Sequence, residues 1–172
     1  MNNQICSLTE FYDKLLDRYK SRTAIKFRDE ELSYETVEEQ TGQLANAFRS
    51  MGVKAGDSVV ILMNNRPEYP ITEIAAIRAG ATAVPLNSDV DEDTIRFVLN
   101  DSNARILAVG PTFFSVGKNI QKDSSFDLNH IIGIEAETEF PIGFHRFSEL
   151  LSKTGSDAPA VTPSAEDVAA IY

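Results

Sequence analysis

The side chains best suited to acid–base or metal chemistry are few and widely separated in this sequence. His130 and His145 are its only histidines, and Cys6 is its only cysteine. Neither histidine has a cysteine or a carboxylate at the spacing that zinc ligands show. Because catalytic histidines normally come with a positioned partner, we expect both to have structural or surface roles.

Other motifs that carry chemistry are absent or have a simpler explanation. The acidic run DVDED at 89–93 offers ligands for a hard cation, but it precedes an apolar periodic segment, where carboxylates stabilise a helix N-terminus. The sequence contains no G-x-G-x-x-G, no G-x-x-x-x-G-K-[ST] and no G-x-S-x-G. Gly52, Gly56 and Gly80 are predicted to end helices or form turns. The residues alone therefore predict no catalytic residue and no metal ligand.

The composition is typical of a soluble globular domain with an acidic surface. The chain has 172 residues, 42% of them hydrophobic, and a formal net charge of −10. Such a surface repels phosphate backbones and no cluster of basic residues compensates, which argues against nucleic-acid binding. No apolar run approaches the roughly 20 residues of a membrane span. A lone cysteine and the lack of a secretory signal predict a cytoplasmic protein.

Apolar periodicity predicts helices that alternate with strands along the chain. Strands are predicted at 24–27, around Leu32, and at 59–62, 81–86, 105–110 and 130–135. Helices are predicted at 8–20, 33–51, 64–80, 88–103, 111–122 and 147–153. The unbroken apolar run at 59–62 is typical of a strand covered on both faces. We therefore expect an α/β fold of three layers, a mostly parallel sheet with helices on both faces.

The end of the sequence predicts a change in organisation. Residues 1–151 are expected to form one α/β subdomain, and the composition of 152–166 is that of a linker. The apolar residues that follow the acidic pair at 166–167 then predict a buried strand within 167–172. Because terminal segments usually dock completely or trail off polar, we expect this strand to lead into further chain.

Three ordered stretches resemble the acyl-adenylate-forming (AMP-binding) superfamily. LSYETVEEQTGQLANAFRSMGVKAGDSVVILMNNRPEY at 32–69 is similar to its N-terminal signature, and AAIRAGATAVPLNSD at 75–89 to its second signature. EDVAAIY at 166–172 resembles the strand before the family's phosphate loop, which typically reads Thr-Ser-Gly-Thr-Thr-Gly-x-Pro-Lys-Gly. The resemblance covers essentially the whole chain and implies the N-terminal subdomain of an acyl-CoA synthetase.

The resemblance implies an enzyme that converts a carboxylic acid and ATP to an acyl-adenylate, then transfers the acyl group to coenzyme A. ATP, Mg²⁺ and coenzyme A are implied for the parent protein and none of them for this part alone, which we expect to be inactive. Its implied partners are the remainder of the parent chain and a small carboxylic acid, as in fatty acid metabolism. Surfaces left bare by the missing part would favour self-association.

The resemblance also suggests contacts with coenzyme A. In some relatives the adenosine end of the coenzyme lies against this region, at places that correspond here to Asn87, Ser88 and Lys118. A simpler interpretation, which we favour, is that these are turn residues and a solvated lysine.

Other functions stay open at this stage. The strings NRPEYP and VPLNSD favour the CoA-ligase branch over the peptide-synthetase adenylation domains, whose second signature tends to end Val-Pro-Ile-Asp. A non-catalytic α/β binding or interaction module is a second alternative. A Rossmann-type NAD domain is disfavoured, because the glycine fingerprint and its acidic partner are missing.

Overall fold

The helices and strands follow the order that the sequence predicts. The structure is a computed structural model that describes residues 7–126, 128, 130–136, 139–157 and 163–172. The helices are α1 (Leu8–Tyr19), α2 (Tyr34–Ser50), α3 (Glu68–Arg78), α4 (Glu92–Asp101), α5 (Phe114–Gln121, after a 3-10 turn at Pro111–Phe113) and α6 (Phe147–Lys153). The strands are β1 (Thr23–Phe27), β2 (Glu30–Ser33), β3 (Ser58–Leu62), β4 (Thr82–Pro85), β5 (Ala104–Val109), β6 (His130–Gly133) and β7 (His145–Arg146).

Five of the strands form one parallel sheet in the order β4-β3-β5-β6-β7. β1 and β2 form a separate antiparallel hairpin. β7 is absent from the predicted strands. Two residues are too few to show a periodicity, so only the pairing with β6 reveals this strand.

Helices cover both faces of the sheet, and the prediction of three layers is confirmed. Val59 and Ile61 of β3 pack in one core with side chains of α2, α3 and α6. Val60 and Leu62 pack in a second core with side chains of α4 and α5. The alternation follows from the period of two residues along a strand, and it explains why the whole of β3 is apolar after Ser58.

Capping side chains and a glycine lie at the helix ends. The Ser33 hydroxyl accepts a hydrogen bond from the Thr36 amide at 3.1 Å, which caps α2. The Asp91 carboxylate accepts from the Thr94 amide at 2.7 Å, so the acidic run lies at the N-terminus of α4 as expected. Gly52 follows the end of α2 with a φ of 90°, a conformation that glycine adopts at little cost.

The last residues differ from the prediction of a buried strand. The segment joins the edge of β4 through one parallel bridge, Ala83 to Ala170. Ala169 and Ala170 pack against the first core, but Val168, Ile171 and Tyr172 are 61%, 50% and 88% exposed. The prediction of burial is therefore wrong for the larger side chains. The physical reason is that this segment lies at the sheet edge, where no described residue covers its outer side.

Residues 154–157, which we call the strap, cross the surface of α2. The Asn46 side-chain amide donates to the backbone carbonyls of Gly155, at 2.8 Å, and Asp157, at 2.6 Å. The Ser156 carbonyl lies so close to Gly42 that a Cβ at that position would overlap it. Gly42 is therefore required by the close approach of two backbone segments.

A Gly42→Ala substitution is expected to displace the strap. Alanine adds roughly 1 kcal/mol of helix propensity to α2, while each lost strap hydrogen bond costs about 0.5–1.5 kcal/mol. Global stability should therefore change little, whereas a non-specific protease should cut 154–157 faster. Gly155→Ala is the matched control, because its added Cβ meets nothing within 4 Å. Equal cleavage rates in both variants would contradict this account.

Candidate functional site

A groove of about 510 Å³ opens at the carboxyl ends of β3 and β4. In open parallel sheets, ligands bind outside this edge, where loops from neighbouring strands meet. The groove is lined by Phe27, Arg28, Met63, Asn64, Asn65, Tyr69, Leu86, Asn87 and Ser88. The lining is rich in amides and hydroxyls, and Arg28 is its only charged side chain. Such a surface suits a polar or anionic ligand better than a cation.

The loop after β4 places two of the predicted residues in this groove. The Leu86 amide donates to the Ile61 carbonyl at 2.8 Å, which extends the ladder between β3 and β4 by one bond. The Asn87 side chain then accepts from the Asp89 amide at 3.2 Å, a turn that asparagine commonly forms. Asn87 is thus a turn residue, as its simpler interpretation holds, and it also lines the groove with its neighbour Ser88.

The hairpin supplies the positive charge of the groove. Arg28 follows β1 with a φ of 55°, in the left-handed region that most side chains avoid. Its guanidinium lies 5.2 Å from the centre of the Phe27 ring, within the range of a cation–π contact. The turn between β1 and β2 therefore brings a cation and an aromatic face together at the groove.

Lys118, the third predicted residue, lies elsewhere. It is exposed on α5, in the helix layer of the second core, and it is not among the residues that line the groove. Within the described part of the chain it forms no ion pair or side-chain hydrogen bond. The structure thus brings Asn87 and Ser88 together but does not bring Lys118 to them.

Two residues of the sequence signatures have structural roles. The Asp57 carboxylate accepts from the Lys54 amide at 2.8 Å and pairs with Arg105 at 3.2 Å, which closes the turn before β3. Arg78 is buried, with 3% of its surface exposed, and its guanidinium donates a hydrogen bond to the Thr41 hydroxyl at 2.9 Å. Asp57 and Arg78 therefore stabilise the fold through contacts within the chain.

A cluster of three phenols around Glu73 was missed by sequence reasoning. The Tyr172 hydroxyl donates to the Glu73 carboxylate at 2.5 Å, and this bond raises the pKa of Tyr172 to about 12. Burial, followed by the charge of Glu73, raises the pKa of Tyr12 and of Tyr69. Glu73 and Tyr172 are 99 positions apart, so no local pattern could have shown this contact.

The two histidines are partners of each other. Nδ1 of His130 lies 3.0 Å from Nε2 of His145, and Nε2 of His130 lies 3.2 Å from the Met51 carbonyl oxygen. Across the described ranges, no group of three or more His, Cys, Asp or Glu side chains could hold a metal ion. No described helix is long and apolar enough to cross a membrane. Cys6 lies outside the described residues.

Comparison with known proteins identifies the family. The model of the AMP-binding enzyme family matches residues 12–172. The chain belongs to the AMP-binding enzyme family. This confirms the resemblance that the three sequence stretches indicated.

Relatives of this AMP-binding chain include CoA ligases. It is 28% identical over 172 residues to a crotonobetaine/carnitine–CoA ligase of Salmonella agona (strain SL483), with 96% of this chain and 33% of the ligase covered. Among solved structures, it superimposes on the anthranilate CoA ligase AuaEII in complex with anthranoyl-AMP with a TM-score of 0.85 and 23% identity. That match covers 94% of this chain and 31% of the ligase.

A second solved structure supports the fold. The N-terminal domain of FACL13 from Mycobacterium tuberculosis matches with a TM-score of 0.82 and 22% identity, covering 96% of this chain and 41% of that domain. The chain spans about a third of the length of the curated CoA ligases that it matches, 33% for the Salmonella agona protein. At these identities the solved structures show a common fold.

Replacing Glu73 by glutamine is expected to lower the pKa of the three nearby phenols. The change removes the negative charge that opposes ionisation of Tyr12, Tyr69 and Tyr172. At pH 10.5 the variant should therefore contain more tyrosinate than the parent, as measured by absorbance near 295 nm. Glu30→Gln, at an exposed position of β2, is the control. Identical titration curves for Glu73→Gln and the parent would show that the cluster does not form.

Proposed function

We propose that this chain is the N-terminal part of an ATP-dependent acyl-CoA ligase. The observation that carries the proposal is the family match over residues 12–172, and the CoA ligases among its relatives support it. In this reaction a carboxylate oxygen attacks the α-phosphorus of ATP and pyrophosphate leaves. The thiol of coenzyme A then attacks the acyl carbon and AMP leaves.

The side chains of this chain suit a supporting role in that chemistry. Phosphoryl groups are held by cations and by convergent backbone N–H groups, and Arg28 is the only cation in the groove. We therefore propose that ATP and Mg²⁺ are held by the remainder of the parent chain, and that the 172 residues alone are inactive. In the same proposal, residues 1–151 are the subdomain, 152–166 a linker, and 167–172 the approach to the phosphate loop.

Coenzyme A fits the donor set of the groove. Its adenosine end carries phosphates and ring nitrogens, which the Arg28 guanidinium, the asparagine amides and the Ser88 hydroxyl can contact. We propose Asn87 and Ser88 as contacts at the groove, and Lys118 as a separate phosphate contact on α5. The coenzyme supplies the thiol when it is bound.

The names of the relatives suggest a general class of substrate. We propose a small carboxylic acid, which is fatty, aromatic or of another kind. We also propose a cytoplasmic location, and self-association of the 172-residue chain where the parent's other parts would cover it. The ligase names of the relatives favour coenzyme A over a carrier-protein thiol as the acceptor. A non-catalytic module with the same fold is the alternative that the first experiment addresses.

ATP–pyrophosphate exchange tests the proposal directly. The complete protein is assayed with a panel of aliphatic and aromatic acids, next to the isolated 172-residue chain. We expect exchange with the complete protein and at least one acid, and none with the isolated chain. Failure of the complete protein with every acid would favour the non-catalytic module. Exchange by the isolated chain would contradict its proposed inactivity.

The contact with coenzyme A is tested in the complete protein by removing one charge. Lys118→Ala is expected to raise the KM for coenzyme A by up to about fivefold, since an exposed ion pair is worth up to about 1 kcal/mol. ATP–pyrophosphate exchange should not change, because coenzyme A does not take part in that half-reaction. Lys122→Ala, the C-cap of the same helix, is the matched control. Equal effects of both substitutions would rule out a specific contact at Lys118.

A further inference from the structure

The His130–His145 pair has no part in the proposed ligase chemistry, yet its geometry is specific. Its two facing ring nitrogens are 3.0 Å apart, and the ring planes are inclined by 60° with centroids 5.0 Å apart. Both rings are half-buried. They come from neighbouring parallel strands, β6 and β7, and His130 also reaches the Met51 carbonyl at the C-cap of α2.

Hydrogen-bond chemistry fixes the protons of the pair. A carbonyl oxygen only accepts, so Nε2 of His130 carries a hydrogen and donates it to Met51. Nδ1 of a neutral His130 is then bare, and Nε2 of His145 must carry the hydrogen of the contact between the rings. Nδ1 of His145 is left as a bare nitrogen, with no partner among the residues that the structure describes.

This arrangement accepts one proton without loss of a bond and resists a second. The first proton can enter at Nδ1 of His145, because that atom forms no bond in the pair. A second proton must enter at Nδ1 of His130, where it would replace the acceptor of the ring–ring bond. Two N–H groups would then point at each other between nitrogen atoms that are 3.0 Å apart. Two positively charged rings at this separation repel each other.

The charged groups around the pair offset only part of that repulsion, because Glu149 favours a protonated His145 less than burial, His130 and Lys153 oppose it. On α6, the Glu149 carboxylate is bound by Lys153 at 2.8 Å and lies 3.7 Å from the Arg146 guanidinium. Asp123, which lines the cavity beside both rings, is bound by Arg96 at 2.5 Å. At the end of α2 the pair meets a neutral carbonyl. Each nearby carboxylate is therefore already matched by a cation.

β7 is the element that would be affected most if the contact between the two histidines were lost. It has two residues, and among the described strands it lies at the edge of the sheet and pairs only with β6. The ring–ring bond and the Met51 bond together form a side-chain connection from β7 through β6 to the end of α2. A short edge strand has few backbone bonds of its own, so this connection adds to an attachment that otherwise depends on the buried side chains of Phe144 and Phe147 on either side of β7.

We propose that the His130–His145 pair is an acid-sensitive latch, which holds β7 against β6 and α2 with at most one proton and releases β7 when it takes up two. This latch is inferred from the geometry of the two rings and does not depend on the proposed ligase function.

The sign of the pH dependence follows from the surroundings of His145. Burial, then the charges of His130 and Lys153, lower the pKa of His145, while Glu149 raises it. A histidine whose pKa is lower in the folded state than the usual value of about 6.5 binds fewer protons when folded than when released. The contribution of the pair to the attachment of β7 is therefore fully present above about pH 6.5 and is lost progressively as the pH falls below that value.

Amide hydrogen exchange in the complete protein tests the latch. Protection of β7 and the first turn of α6, corrected for the intrinsic pH dependence of exchange, is measured from pH 8 to pH 5. Each proton taken up on opening should reduce protection by about tenfold per pH unit below about pH 6.5. The double variant His130→Gln/His145→Gln should show no such dependence, since glutamine amides can form both bonds but do not titrate.

Two controls make the result decisive. The amides of β3 should keep their protection throughout, because acid release of β7 is local. The single variant His145→Gln should fall between the parent and the double variant in its pH dependence. A flat profile in the parent, an equally steep one in the double variant, or a parallel loss of protection in β3 would each overturn the proposal. Because no outcome involves catalysis, a failed latch cannot be confused with a failed ligase assignment.

Discussion

The whole architecture depends on the central strand β3, which is shielded from solvent on both faces. Each of the five residues of β3 is buried, and its neighbours β4 and β5 lie on its two sides in the sheet. A strand whose side chains are apolar in both directions can be stable only if helices cover both faces of the sheet. The two cores, one with α2, α3 and α6 and one with α4 and α5, meet that requirement.

The place of the groove follows from the same constraint. α3 lies on one face and leads from β3 to β4, whereas α4 lies on the other face and leads back across β3 to β5. Right-handed crossovers in opposite directions leave the carboxyl ends of the central strands open between the two helix layers. The polar loops after β3 and β4 lie at this edge, and the hairpin adds Arg28 beside them.

Local sequence patterns predicted most of the fold. They could not predict contacts between residues that are far apart in the sequence. The apolar runs, and the acidic run at the start of α4, each depend on residues within a few positions, so periodicity and spacing sufficed. Tyr172 contacts Glu73, and the two histidines contact each other, only because the sheet brings distant segments together. The error at Val168 has the same origin, since an apolar run does not reveal whether its strand lies at the centre or the edge of a sheet.

Electrostatics explains why this part of an AMP-binding enzyme carries so little recognisable chemistry. The chain has a net charge of −10, and the triphosphate of ATP, if it were enclosed in the groove, would meet Arg28 as the only cation there. Binding would remove water from the phosphates without supplying enough opposite charge in return. Amides and hydroxyls can orient a ligand at this edge, but they cannot neutralise it. On the proposed function, the charges that hold the nucleotide phosphates belong to the remainder of the parent chain, and this part contributes the amide and hydroxyl groups of the groove.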